Sequence, residues 1–236
     1  MSRERDEHLR RSIIAGGRRL AGLGLTPGTS GNISVRRDGR GFFVSPTGLS
    51  YHGLDASEIP LVTFDGRWYG CRRPSSEWRF HRDIFVSRAE IGAIVHTHSP
   101  MATALACTAR AIPAFHYMVA VAGGADIRCA PYHTFGSQAL SDGALEALRD
   151  RRACLLAHHG VIALGADVDA ALTLAAEVED LAVKYCAALA LGEVEILSAG
   201  EMAHVVDKFR TYGRQDVPEP GLEFGGDVPP AAADSQ

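Results

Sequence analysis

Apolar positions along this chain follow two periods. Over residues 4–23, Leu9, Ile13, Gly17 and Leu20 recur on one face at helical spacing, and Gly24 is placed to stop that helix. The period then shortens. Ile33-Ser-Val35 alternates as a strand, and Gly41-Phe-Phe-Val44 is a second one, broken by Pro46-Thr47-Gly48. Residues 61–64 and 68–69 flank Asp65-Gly66 as a hairpin would. Ser76 is suited to cap a helix whose apolar face is Trp78, Phe80, Ile84 and Phe85. Residues 91–95 read as a buried strand, and Ser99-Pro100 opens a helix to residue 107. Residues 114–122 fit strand and helix equally. Helical spacing returns at 138–148, at 167–191 and at 199–209. Strands are expected at 153–157 and 161–164, on either side of His158-His159-Gly160.

A helix, then strands that meet as hairpins, then strands interleaved with helices predicts an α/β fold. The expected form is a single three-layer α/β/α domain with a mixed, largely antiparallel central sheet. Its body is expected over residues 1–215. Residues 216–236, rich in Pro, Gly, Ala and acid, are expected to be a flexible tail.

Composition narrows the function classes. The chain has 236 residues, of which 46% are hydrophobic and 22% charged, enough to bury a core. A net charge of -4 supplies no basic footprint for nucleic acid or an anionic membrane. No run of about 18 apolar residues could cross a bilayer, and the charged start lacks a secretory signal's apolar core. Five scattered cysteines with no Cys-x-x-Cys pair point to a reducing cytoplasm. The ten histidines call for a reason.

His96-Thr97-His98 is the sharpest chemical signal. At the end of a strand, two residues apart, both imidazoles face the same side and can share a metal ion. Such a pair alone more often packs or faces water. His158-His159-Gly160 also follows an apolar strand and can complete a three-histidine site, one of the two being the ligand. Glu77 falls at a helix start, where the dipole alone could account for it; a general acid/base is the sharper reading. Thr29-Ser-Gly31-Asn32, Ser45-Pro-Thr47-Gly48 and Ser75-Ser76 each join hydroxyls or amides to flexible backbone. Each is an ordinary turn by itself; together they suit a small phosphate. None matches a Walker or dinucleotide fingerprint. Lys184 and Lys208 look solvated, so no Schiff-base lysine is offered. Glu177 and Glu179 are expected on the surface. His81 could orient Glu77 or simply pack.

These blocks, in this order and spacing, resemble the class II aldolase/adducin family over nearly the whole chain to about Tyr212. Within it they are most similar to the L-fuculose-1-phosphate aldolases. Ile112-Pro-Ala-Phe-His-Tyr117-Met, Ala130-Pro-Tyr-His-Thr-Phe135-Gly and Lys208-Phe209-Arg-Thr-Tyr212-Gly carry that closer likeness. The resemblance implies one Zn2+ per subunit, or another divalent metal, on His96, His98 and His159, with Glu77 as acid/base and as a fourth ligand when substrate is absent. It implies phosphate held by Gly31, Asn32, Thr47, Gly48, Ser75 and Ser76. Tyr117 would act from an adjacent subunit on the aldehyde-side oxygen, and Phe135, Phe209 and Tyr212 would surround the aldehyde. The implied reaction is reversible cleavage of a ketose 1-phosphate, such as L-fuculose 1-phosphate, into dihydroxyacetone phosphate and an aldehyde. The implied assembly is a homotetramer with sites between subunits. Family members of other activity, namely an epimerase, a decarboxylase and a methylthioribulose-phosphate dehydratase, are the alternatives, followed by a non-catalytic adducin-like domain.

Overall fold

The computed structural model describes residues 2–212; the expected tail at 216–236 lies outside them. Helix α1 (Ser2–Gly22) leads into β1 (Asn32–Arg37), β2 (Gly41–Val44), β3 (Leu61–Thr63) and β4 (Trp68–Tyr69). Then come α2 (Trp78–Ser87), β5 (Ala93–Thr97), α3 (Pro100–Cys107), β6 (Cys129–Ala130) and α4 (Gln138–Ala147). The chain continues through β7 (Ala153–Leu156), β8 (Gly160–Gly165), α5 (Val168–Leu191) and α6 (Ala199–Lys208). Eight strands form one sheet in the order β4-β3-β2-β1-β5-β8-β7-β6. Every pairing is antiparallel except β6 with β7. The expected mixed, largely antiparallel α/β fold is the observed one.

Strand alternation makes the three layers. Val95, Leu155, Val161 and Ala163 point to one face, where they meet Ile13 and Leu20 of α1, Leu105 of α3 and Leu172 and Val178 of α5. Their neighbours Ile94, Cys154, Leu156, Ile162 and Leu164 point to the other face, against Phe80, Ile84 and Phe85 of α2 and Leu140 and Ala144 of α4. Both faces of the central strands are therefore buried, which explains their near-continuous apolar runs. Among the described residues no helix is long and apolar enough to cross a membrane.

Four local expectations change. The strand expected at 91–95 runs from Ala93 to Thr97, because pairing with β8 continues through His96↔Ile162 and Thr97↔Val161. His96 therefore lies inside the sheet and not beyond its end. Ser76 does not cap α2. Glu77 occupies the capping position with no side-chain cap bond, its carboxylate being drawn elsewhere. Residues 117–122 form a 3-10 turn. The two-residue β6, too short for any period, escapes the sequence pattern.

Candidate active site

The centre of the sheet gathers the candidate residues. β5 lies between β1 and β8, with Asn32 opposite His96 on one side and Ile162 opposite it on the other. His98 follows β5, and His159 sits in the turn between β7 and β8. Ligand atoms of His96, His98 and His159 all lie within 4.8 Å of one another. The turn gathers them by two devices. His158 takes a left-handed backbone (φ 55°), and its ring meets Tyr132 edge-on at 5.9 Å, away from the cluster. Gly160 then passes so close to the Thr97 carbonyl and the His96 and His98 rings that no Cβ fits. His159 is thus the third member, and His158 is its neighbour.

Proton accounting shows what the cluster lacks. His96 Nδ1 lies 2.9 Å from the Val161 carbonyl, which only accepts, so Nδ1 carries the ring's hydrogen. Nε2 is then bare, yet it faces Glu77 Oε2 at 3.2 Å and His98 Nε2 at 3.0 Å. The other Glu77 oxygen, Oε1, lies 3.1 Å from His159 Nε2 and accepts no hydrogen bond, although it is buried. Two acceptors facing each other beside an orphaned carboxylate oxygen are costly without a positive charge between them. Three imidazoles and a carboxylate are the donor set of a divalent transition metal. Protonation states agree. Burial pushes His96 down to about 3 and lowers His98, so both are neutral at pH 7. Burial works to raise Glu77, but His96, His159 and the Asn32 amide outweigh it and hold the carboxyl well below its usual range.

The residues expected at a phosphate are brought side by side. Ser45 bonds to Ile33 through its backbone N–H (2.9 Å) and receives the Ile33 N–H on its hydroxyl (3.1 Å). Thr47 N–H donates to the Arg73 carbonyl (3.1 Å) and Ser75 N–H to the Ser45 carbonyl (3.0 Å). The segments holding Gly31, Thr47, Gly48, Ser75 and Ser76 thus form one stitched surface. Gly31, at φ 82°, presses against the His96 carbonyl, where a Cβ would lie 2.8 Å away, so this surface adjoins the histidines. The Asn32 side chain bridges two further residues. Its amide Nδ2 donates to Glu77 Oε2 (2.8 Å) and its Oδ1 faces His81 Nε2 (2.5 Å).

The residues expected around the aldehyde lie at or near the surface of the chain. Tyr117, Phe135 and Tyr212 are exposed; Phe209 is half-buried and packs on Tyr212 at 5.1 Å. The Phe135 segment does reach the cradle: Gly136 abuts the Ser76 carbonyl, and Arg79 donates to the Gly136 carbonyl at 2.9 Å.

Comparison with known proteins gives this arrangement its family. The family described as "Class II Aldolase and Adducin N-terminal domain" matches residues 11–186. The chain belongs to the class II aldolase/adducin family. A 5-methylthioribulose-1-phosphate/5-deoxyribulose-1-phosphate aldolase of Rhodospirillum rubrum is 53% identical over 87% of this chain and 92% of its own length. An L-fuculose phosphate aldolase of Escherichia coli K12 is 46% identical over 87% of this chain and 95% of its own. A solved L-fuculose 1-phosphate aldolase superposes with a TM-score of 0.83 at 38% identity, over 86% of this chain and 96% of that one.

Two contributors to this class II aldolase site were not expected from sequence. Glu179, read as surface, instead accepts the N–H groups of Met101 (2.8 Å) and Ala102 (2.9 Å), capping α3 just after His98. Ser34 is fully buried, and its hydroxyl lies 2.7 Å from His81 Nδ1. Ser34 and Asn32 alternate with Ile33 and Val35, a pattern that reads as a wet strand face until a helix is known to cover it.

Proposed function

We propose that this class II, metal-dependent aldehyde-lyase reversibly cleaves a deoxyketose 1-phosphate into dihydroxyacetone phosphate and an aldehyde, using zinc. The observation that carries the reading is the buried, unpartnered Glu77 Oε1 beside three converging imidazoles. His96, His98 and His159 would hold the ion, with Glu77 on it before substrate enters. When bound, such an ion supplies Lewis-acid polarisation of the ketone. Everything else falls to the chain. In the condensing direction Glu77, a carboxylate at neutral pH, takes a proton from the hydroxymethyl carbon of dihydroxyacetone phosphate. In cleavage it returns that proton to the same carbon after the bond to the neighbouring carbinol carbon breaks. The hydroxyl proton of that carbinol leaves as its oxygen becomes the aldehyde carbonyl. Tyr117, reaching in from an adjacent subunit of a homotetramer, exchanges that proton. Backbone and hydroxyls of Gly31, Asn32, Thr47, Gly48, Ser75 and Ser76 hold the phosphate without basic side chains.

The two named relatives are aldolases of different deoxyketose phosphates, and aromatic residues at Tyr117, Phe135, Phe209 and Tyr212 suit an apolar aldehyde tail. The 53% relative favours 5-deoxyribulose and 5-methylthioribulose 1-phosphates over L-fuculose 1-phosphate, whose aldehyde is lactaldehyde. Discrimination by one methyl group is worth only about 1–3 kcal/mol, so overlap is expected. The test is a panel of these three substrates with L-rhamnulose 1-phosphate, triose phosphate and aldehyde being measured separately. Equimolar products that vanish on chelation and return with zinc support the reading. Carbon dioxide, a dehydrated ketone or an epimer as the sole product would assign a sister activity. A metal-free, zinc-unresponsive protein would leave only a non-catalytic domain.

A further inference from the structure

His81 lies one helical turn beyond Glu77, fully buried, with Phe80 at 4.5 Å and Phe42 at 6.4 Å from its ring. Its nitrogens both reach β1: Nδ1 is 2.7 Å from Ser34 Oγ and Nε2 is 2.5 Å from Asn32 Oδ1. Asn32 Nδ2 continues the run to Glu77 Oε2 at 2.8 Å.

Only one set of hydrogens fits this run. A carboxylate accepts, so Asn32 must turn its N–H to Glu77 and its oxygen to His81. That oxygen also only accepts, so His81 carries its hydrogen on Nε2. A neutral imidazole has one such hydrogen, so Nδ1 is bare and takes the Ser34 hydroxyl hydrogen. Burial pushes His81 down to about 3, which keeps it neutral and the direction fixed. Reversing any member leaves a buried acceptor facing an acceptor.

We propose that His81 is a positioning residue for Glu77, acting through Asn32: the one-way run from Ser34 pins Oε2 and leaves Oε1 as the oxygen that exchanges protons. A donor on Oε2 makes it the weaker base and stops the carboxylate from rotating, so Oε1 faces His159 in one orientation. This rests on Glu77 being the acid/base.

Three measurements test it. In protein labelled with 15N-histidine, His81 should show the Nε2–H tautomer, neutral from pH 5 to 9; an Nδ1–H tautomer overturns the proposal whatever the variants do. His81→Phe keeps the ring packing and removes the donor. It should bind zinc and inorganic phosphate as the wild type does, with KM within about 2-fold. Its kcat and its tritium exchange on dihydroxyacetone phosphate should fall about 10- to 100-fold, the scale of a lost hydrogen bond in a charged network. His81→Gln restores an N–H near the Nε2 position and should recover most of that loss. Equal losses in Phe and Gln variants, or undiminished exchange in a folded His81→Phe, overturn it. Should His81→Phe not fold, Ser34→Ala carries the test, with a smaller drop in exchange at unchanged metal content; no drop counts against the proposal. Glu77→Gln separates the two ideas. Unchanged exchange there removes the acid/base reading itself, whereas lost exchange there beside normal exchange in His81→Phe removes only the positioning role.

Discussion

His158 and His159 are adjacent in the chain and opposite in direction. The positive φ of His158 turns its ring to Tyr132, and the next residue joins the cluster. His159→Ala should therefore lose bound metal, while His158→Ala retains it, with metal quantified after dialysis against a weak chelator; the reverse would mean that the turn is misread. The pattern His-x-His plus His-His-Gly made the cluster legible from sequence. Which of the two adjacent histidines serves was open to the residues alone, because a backbone angle decides it. His81 makes a different case. The unfolded chain binds a proton on this imidazole near pH 6.5, whereas the native one does so only near 3. Between those limits the unfolded state holds more protons, so stability rises with pH and is lost on acidification from about 6.5 downwards. Thermal melts of metal-free protein should show a falling Tm from pH 7 to 5, with a shallower fall in His81→Phe. The remaining slope belongs to His96 and His98, which burial lowers in the same way.

Elements were legible in proportion to how many residues repeat the signal. The 24-residue α5 and the 21-residue α1 repeat theirs over several turns, and both match the expected spans to within a residue or two at each end. The start of α2 was misassigned because Ser76 has capping chemistry, but the carboxylate next to it is held by β1 and the histidines. Long-range contacts outvote local preference there. The same effect hides Glu179, one acid on the buried side of α5 whose partners are 78 and 77 residues away in sequence. Glu179→Ala removes both bonds at the start of α3. We expect about 1–2 kcal/mol of lost stability, the scale of a helix cap, read by urea unfolding. Metal affinity should weaken as well, since His98 lies immediately before that helix start. A folded variant of unchanged stability would show that solvent replaces the cap.

At the scale of the molecule, the site divides into a fixed centre and an open edge. Glu77, Asn32, Ser34, His81 and His96 are buried, whereas Tyr117, Phe135 and Tyr212 are exposed. The proposed homotetramer would place such edge residues over a neighbour's centre. Mixing Glu77→Gln with Tyr117→Phe protein, each far less active alone, should regain activity through subunits that pair an intact Glu77 with an intact Tyr117. Sedimentation should report four copies in the active species. Failure to complement at confirmed mixing would place Tyr117 beside its own chain's histidines. The sequence blocks named these aromatic residues but could not show their separation, which arises from the way the chain wraps the sheet.

The separation bears on how such an enzyme changes over generations. The groups proposed to grip metal and handle protons hang from β1, β5, the start of α2 and the turn into β8, where packing is close and Gly160 leaves no room for a Cβ. The aromatic groups stand on connections between strands and on the segment after α6, and most of them are exposed. If the proposed roles hold, lineages can exchange one aldehyde for another by drifting at the edge while the bond-breaking apparatus is inherited intact. Two relatives with different named sugars and a shared scaffold are what that division of labour would produce.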